Sequence, residues 1–162
     1  MALQMILDLG ATSGESMLSG HEEKIDIDQY SIDYHQSGTF HRGGGGGGGA
    51  PTVGDLMMSK KLDKASYDLC RKVCLGNHYP NATLSVFKST GGGVEKYFEI
   101  KLTNVIVSSY SMGGSGDGLD YISENFSLNF EQIETQYWKQ GQDGILSDGG
   151  TMMFNVATNE SA

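Results

Sequence analysis

The sequence predicts a mainly β protein, a small closed β-barrel of two bent sheets with one flanking α-helix, and three observations carry that expectation. Apolar residues alternate with polar ones at Leu3, Met5, Leu7 and Leu9, at Leu84 and Val86, at Phe98, Ile100 and Leu102, at Phe126, Leu128 and Phe130, and at Met152, Phe154 and Val156. A period of two is the mark of strands with one buried face. The alternation slips phase inside two segments, which calls for bent strands of the kind a small barrel uses. Only one stretch repeats at helical spacing.

Taken in order, the first strand runs through Leu3 to Leu9 and is followed by a second over Lys24 to Gln36. There Ile25 and Ile27 share one parity while Tyr30, Ile32 and Tyr34 share the other, so a bulge is expected near Asp28-Gln29. Beyond it the core set Tyr30, Ile32 and Tyr34 leaves Gln29, Ser31 and Asp33 on a small, polar opposite face. Residues 37–54 read as an extended loop containing seven consecutive glycines, Gly43 to Gly49. Glycines lose the most backbone entropy on ordering, so a loop of this length is expected to be disordered or held by another chain. Thr39, Phe40, His41 and Arg42 before the glycines, and Pro51 to Asp55 after them, favour the second reading because they keep side chains able to make contacts.

The helix is expected over about 64–75, with Asp63 or Ser66 as N-cap, an apolar stripe of Leu69, Cys70, Val73 and Cys74, and Gly76 as the stop. Too short to be stable alone, it must dock its stripe against the sheet. Two cysteines four apart on one helix face have poor disulfide geometry, so Cys70 and Cys74 are expected as buried thiols. Gly91 to Gly93, Gly113 to Gly118 and Gly149-Gly150 read as loops between later strands. The second bend is expected after Phe130, where Ile133 and Tyr137 continue the apolar pattern on the opposite parity.

With 162 residues the chain fits one domain, 1–162, able to bury a core without disulfides or metals. Eleven basic against twenty acidic residues give a net charge of -9, which opposes binding to nucleic acid or to an anionic membrane. The N-terminus lacks a basic region before its short apolar run, and no run approaches the roughly 20 residues of a membrane span. The expectation is a cytoplasmic protein that, if exported, leaves without a cleaved signal peptide and without membrane insertion.

Patterns that would signal catalysis are incomplete. The glycine run lacks the lysine and hydroxyl of a phosphate-binding loop, and Gly20-His21-Glu22-Glu23 is followed by Ile25 where a zinc protease needs a second histidine. Gly113-Gly114-Ser115-Gly116 is out of register for a nucleophile elbow. No enzyme, metal or cofactor is expected.

Gly14-Glu15-Ser16 with Gly20-His21-Glu22, Leu62-Asp63-Lys64-Ala65-Ser66, and Ser108-Ser109 running to Ser123-Glu124-Asn125-Phe126-Ser127-Leu128-Asn129-Phe130 resemble the Hcp family, whose members form the tube of the bacterial type VI secretion system. The likeness covers nearly the whole chain. It implies a structural carrier: a homohexameric ring, stacked head to tail, capped by a VgrG spike, surrounded by contractile sheath proteins and carrying small effector proteins. In such a ring one sheet face of every subunit lines the lumen, which makes Ser31, with Gln29 and Asp33, the candidate effector contact, Asp33 adding negative potential. The resemblance also implies that the loop containing Thr39, Phe40, His41, Arg42, Gly43, Gly49 and Pro51 reaches a neighbouring ring, and that Gly14, Glu15, Ser16, Gly20, His21, Glu22, Asp63, Lys64, Ser66 and Glu124 are structural or interfacial. Two other readings fit the composition: a phage-type tail tube protein, and a monomeric binding module whose glycine loop is a flexible lid.

Overall fold

The computed structural model describes residues 3–41, 47–90, 92–118 and 120–161. In chain order these form β1 (Gln4–Asp8), β2 (Ile25–Ile27), β3 (Gln29–Ser31), β4 (Tyr34–His35), β5 (Thr52–Val53), β6 (Leu56–Lys61), α1 (Ala65–Leu75), β7 (His78–Thr90), β8 (Gly93–Gly113), β9 (Ser123–Gln140), β10 (Leu146–Asn155) and β11 (Glu160–Ser161). The protein is mainly β with one helix. Neighbours in the main sheet run β11–β10–β9–β8–β7–β1–β2, with β6 also paired to β9 and β3 to β6, while β4 and β5 pair separately.

The two expected phase slips both occur, by different means. At Asp28 the strand is interrupted: Ile25 and Ile27 are buried beside β1, whereas Gln29 to Ser31 pair with β6, and the Asp28 N–H donates to the Ser59 carbonyl at 2.8 Å. The core parity beyond the slip fades with distance. Tyr30 and Ile32 are half-buried and Tyr34 is exposed, because the chain there leaves the body of the sheet for the β4–β5 arm.

The second slip is shared by three strands. Tyr79 and Ala82 on β7, Leu102 and Val105 on β8, and Phe130 and Ile133 on β9 are all buried although each pair is three residues apart. The inward face therefore changes parity along one line through Pro80, Asn104 and Glu131. Asn104 adopts a left-handed φ of 51° and its amide donates to the Glu131 carboxylate, so the bend is built into the backbone.

The glycine-rich segment needs no second chain to order its flanks. Tyr34 and His35 pair with Val53 and Thr52, Gly38 bridges Gly48, the Gln36 amide donates to the Gly49 carbonyl at 2.8 Å, and the Thr39 hydroxyl donates to the Gly47 carbonyl at 2.6 Å. These bonds turn the expected loop into an antiparallel arm. Gly149 and Gly150 are likewise not a loop: they form a bulge within β10, where a Cβ on Gly149 would lie 2.4 Å from the Tyr137 ring.

Helix α1 docks through Leu69 of the expected apolar stripe, with Val73 packed against the core, but the contact is shifted toward Ala65 and Ser66 at its N-terminal end. Ala65, Ser66 and Leu69 are buried, Cys70 and Val73 are only half-buried, and Cys74 is exposed. The expectation of two buried thiols is corrected accordingly: burial is deepest at the N-terminal turn and declines toward the C-terminal one, where Val73 still packs on the core but Cys74 faces outward. The helix ends where Gly76 takes φ 66°, with Asn77 N–H bonded to the Lys72 carbonyl at 3.2 Å.

Candidate carrier wall and its buried anchor

The outward face of the sheet around β3, β6, β9 and β8 is a wall of mostly short polar side chains, exposed except for Ser127, which is buried, and Ser59, which is half-buried. One cross-strand row reads Ser31, Met57, Ser127, Ser109, and the next reads Gln29, Ser59, Asn125, Ser111. Outward positions on four adjacent strands are thus filled by hydroxyls and amides, with Met57 as the exception. Ser127 is hydrogen-bonded to Ser108 at 2.7 Å and to Ser109 at 2.5 Å, and Ser108 donates to Asp55 at 2.6 Å. Asn129 donates to the other Asp55 oxygen at 2.8 Å, so that carboxylate is occupied. A groove of about 680 Å³ opens on this wall beside Gln29, Ser31 and Met57.

The structure thus brings Ser31 and Gln29 together on one face and separates Asp33 from them. Asp33 turns to the root of the arm, where His35 Nε2 lies 2.7 Å from its carboxylate. A Cβ at Gly54 would sit 1.8 Å from Asp33 Oδ1, so only glycine leaves room for the carboxylate there. On the arm, Phe40 is 81% exposed and His41 is also exposed, whereas Thr39 and Gly49 are engaged in the arm's own bonds and Pro51 is half-buried. Arg42 and Gly43 lie outside the described residues.

The motif residues between β1 and β2 hold a compact crossing. Gly14 N–H donates to the Glu23 carbonyl at 2.7 Å, and a Cβ on Gly14 would come within 2.4 Å of the Lys24 carbonyl. Ser16 is buried, Gly20 takes φ 81° and donates to the Glu22 carboxylate, and His21 packs on Phe87 with ring centroids 4.8 Å apart. Glu15 remains exposed beside Asp26, and Lys64 reaches Glu23 at 3.4 Å.

Asp63, Ser66 and Glu124 belong to a buried network whose centre the sequence reading missed. Lys60 is fully buried on the core parity of β6, in line with Leu56 and Met58. Its ammonium donates to Asp63 at 2.7 Å, Ser66 at 3.0 Å and the Lys61 carbonyl at 3.2 Å, and lies 2.5 Å from Glu124 Oε2. The ammonium is thus surrounded by four oxygens, and its charge is balanced inside the fold by the Asp63 and Glu124 carboxylates. Tyr110 donates to the other Glu124 oxygen. Burial and the neighbouring Glu124 charge together push the Tyr110 hydroxyl well above the ordinary tyrosine range. Asp63 accepts from Ala65 N–H at 2.9 Å while its own N–H donates to Ser66 at 3.0 Å, which ties the helix start to the same network. A charged residue in phase with Leu56 and Met58 was the signal that could have located Lys60.

A second carboxylate, Glu99, is buried on β8 between Lys96 and Lys101. Burial pushes its pKa up, but the bonds and charges of the two lysines outweigh it and hold the group below the ordinary carboxylate range.

A nearly continuous antiparallel sheet with one anchored helix and a broad polar wall defines a β scaffold that presents a surface. The family model described as "Type VI secretion system effector, Hcp" matches residues 6–137. The chain is 41% identical over 164 residues to protein hcp1 of Pseudomonas aeruginosa, covering all of both chains. Among solved structures, Hcp1 from Salmonella typhimurium matches with a TM-score of 0.80 and 26% identity over the whole of both chains. A type six secretion system protein matches in fold with a TM-score of 0.93 at 24% identity, over 99% of this chain and 100% of that one. The chain belongs to the Hcp family of type VI secretion system tube proteins. That membership decides between the secretion reading and the phage-type tail tube and lid-bearing module.

Proposed function

We propose that six copies of this chain close side by side into a ring, that rings stack head to tail into a hollow tube, and that the wall bearing Gln29 and Ser31 faces the interior and carries small effector proteins. Such an interface is heterologous: rotation closes the ring, and axial repetition extends the tube. The sheet in this reading is a closed barrel, with β2 and β3 acting as one bent strand that bridges β1 and β6. The registers of Ile25 to Ile27 with β1 and of Gln29 to Ser31 with β6 support that closure. The protruding β4–β5 arm, with Phe40 exposed at its outer part, is the contact to the next ring. A VgrG spike at the tube's end and contractile sheath proteins outside it complete the assembly, and the protein itself is secreted. The protein's role there is mechanical and protective, with no catalytic step.

The observation that carries this reading is the wall itself: small polar side chains at successive cross-strand positions on four strands suit repeated, reversible contact better than permanent burial. Light scattering and negative-stain electron microscopy of the purified protein test it. A mass six times that of the chain with six-fold rings is expected, and a monomer at all accessible concentrations would overturn it.

A further inference from the structure

Met57 occupies the centre of the polar wall, flanked in its row by Ser31 on one side and Ser127 on the other. It is 58% exposed, although the next residue along the strand, Met58, is buried in the core. The groove beside it has an apolar lining to which Leu3, Met5, Tyr30, Tyr110 and Phe126 contribute, Leu3 being 49% exposed, together with hydroxyls and amides and one charged residue, Asp28. The two other carboxylates nearby are engaged, Asp55 by Ser108 and Asn129 and Asp33 by His35. We propose that Met57 is the apolar anchor of the carrier wall, taking up a single apolar side chain from an extended cargo segment whose flanking residues are uncharged or basic. This rests on the assignment of the wall as the cargo face.

The chemistry follows from the composition of the site. A thioether on an unbranched chain adapts to differently shaped partners, while hydroxyls and amides around it satisfy the polar backbone that accompanies any apolar side chain. An exposed apolar anchor with polar neighbours along its row and an apolar groove beside it gives weak, shape-tolerant binding to each subunit, and six copies around a ring add avidity. Charge sets the limits. Asp28 on the rim and a net charge of -9 disfavour acidic flanks.

The test uses full-length protein labelled with ¹³C at the methionine methyls, and three nine-residue peptides that carry a central leucine flanked by serines, by lysines or by aspartates. Met57→Leu assigns the resonance, and the other exposed methionines, Met17, Met112 and Met152, serve as internal controls. The serine- and lysine-flanked peptides are expected to shift the Met57 methyl selectively, with the aspartate peptide bound about tenfold more weakly. Met57→Ser is expected to weaken the serine peptide about tenfold, the scale of one lost apolar contact, while Met57→Leu retains it. Equal binding of all three peptides, unchanged binding to Met57→Ser, shifts confined to another methionine, or no shift at all would each overturn the proposal. Cargo retention by the assembled ring keeps the two readings apart. Loss of cargo in Ser31→Gln with retention in Met57→Ser removes the anchor and leaves the wall, whereas retention in both removes the wall as the cargo face.

Discussion

Replacing Lys60 by methionine removes the cation paired with Glu124, which is wholly buried. The methionine fills most of the lysine's volume, so the cost comes from electrostatics. Glu124 keeps the Tyr110 hydrogen bond on one oxygen, but its Oε2 is left buried without its ion-pair partner, and Ser66 loses a donor at the helix start. Breaking a buried pair by removing one partner costs about 3–5 kcal/mol. For a domain of this size that corresponds to a fall in Tm of roughly 6–20 °C. The double variant Lys60→Met with Glu124→Leu removes the fully buried pair and is expected to recover at least about 1 kcal/mol relative to Lys60→Met alone, since what then lacks a partner is the Tyr110 hydroxyl and the less deeply buried Asp63 carboxylate, which keeps its bond from Ala65 N–H. Urea denaturation followed by far-ultraviolet circular dichroism measures the wild type, both single variants and the double variant, at one chain concentration because assembly would itself stabilise the fold. A Lys60→Met loss below about 1 kcal/mol, or a double variant as unstable as the sum of the two single ones, would refute the buried-pair account.

Four other outcomes follow from the same geometry. Because Glu99 titrates below its unfolded value of 4.5, its stabilising contribution is present above that pH and is lost as pH falls through the folded value, so Glu99→Gln should flatten the acid limb of a stability-pH profile. Cys74 should react with a thiol reagent faster than Cys70, and reductant should leave the fold unchanged; protection of both thiols would place the helix wrongly. Ser31→Gln should keep the ring and reduce retained cargo, changing fold stability by no more than about 0.5 kcal/mol, as checked by co-purification beside a melt. Shortening the run Gly43 to Gly49 by a few residues should leave isolated rings intact and shorten or abolish stacked tubes in electron micrographs, since loop length affects closure only slowly; loss of the ring would move the arm to the ring interface.

Much of this architecture is legible in the sequence because periodicity reports which way a side chain faces. The slip between Ile27 and Tyr30 located the interruption at Asp28, the change from Phe130 to Ile133 located the second bend, and Gly76 located the helix end. Local backbone chemistry is enough for each of these. The same reasoning placed Ser31 and Gln29 on an exposed face, and three short motifs carried the family resemblance that the comparisons then established.

What periodicity leaves open is adjacency, because which strands lie side by side is decided by long-range pairing. Ser31 meets Met57, Ser127 and Ser109 only through the order β3–β6–β9–β8, and no local pattern joins positions so far apart in the chain. Asp33 shares a parity with Ser31 yet faces the arm, since the chain has left the sheet by then and Gly54 opens a place for its carboxylate. Lys60 reads as an ordinary surface lysine until the fold sets Glu124, Asp63 and Ser66 around it. Cys74 lies on the helix's apolar stripe but faces solvent, because that network anchors the other end of the helix. Sequence determined the direction of each side chain relative to its own strand or helix, and only tertiary structure decided what stood opposite it, because burial and charge compensation are properties of neighbours that the chain brings together from a distance.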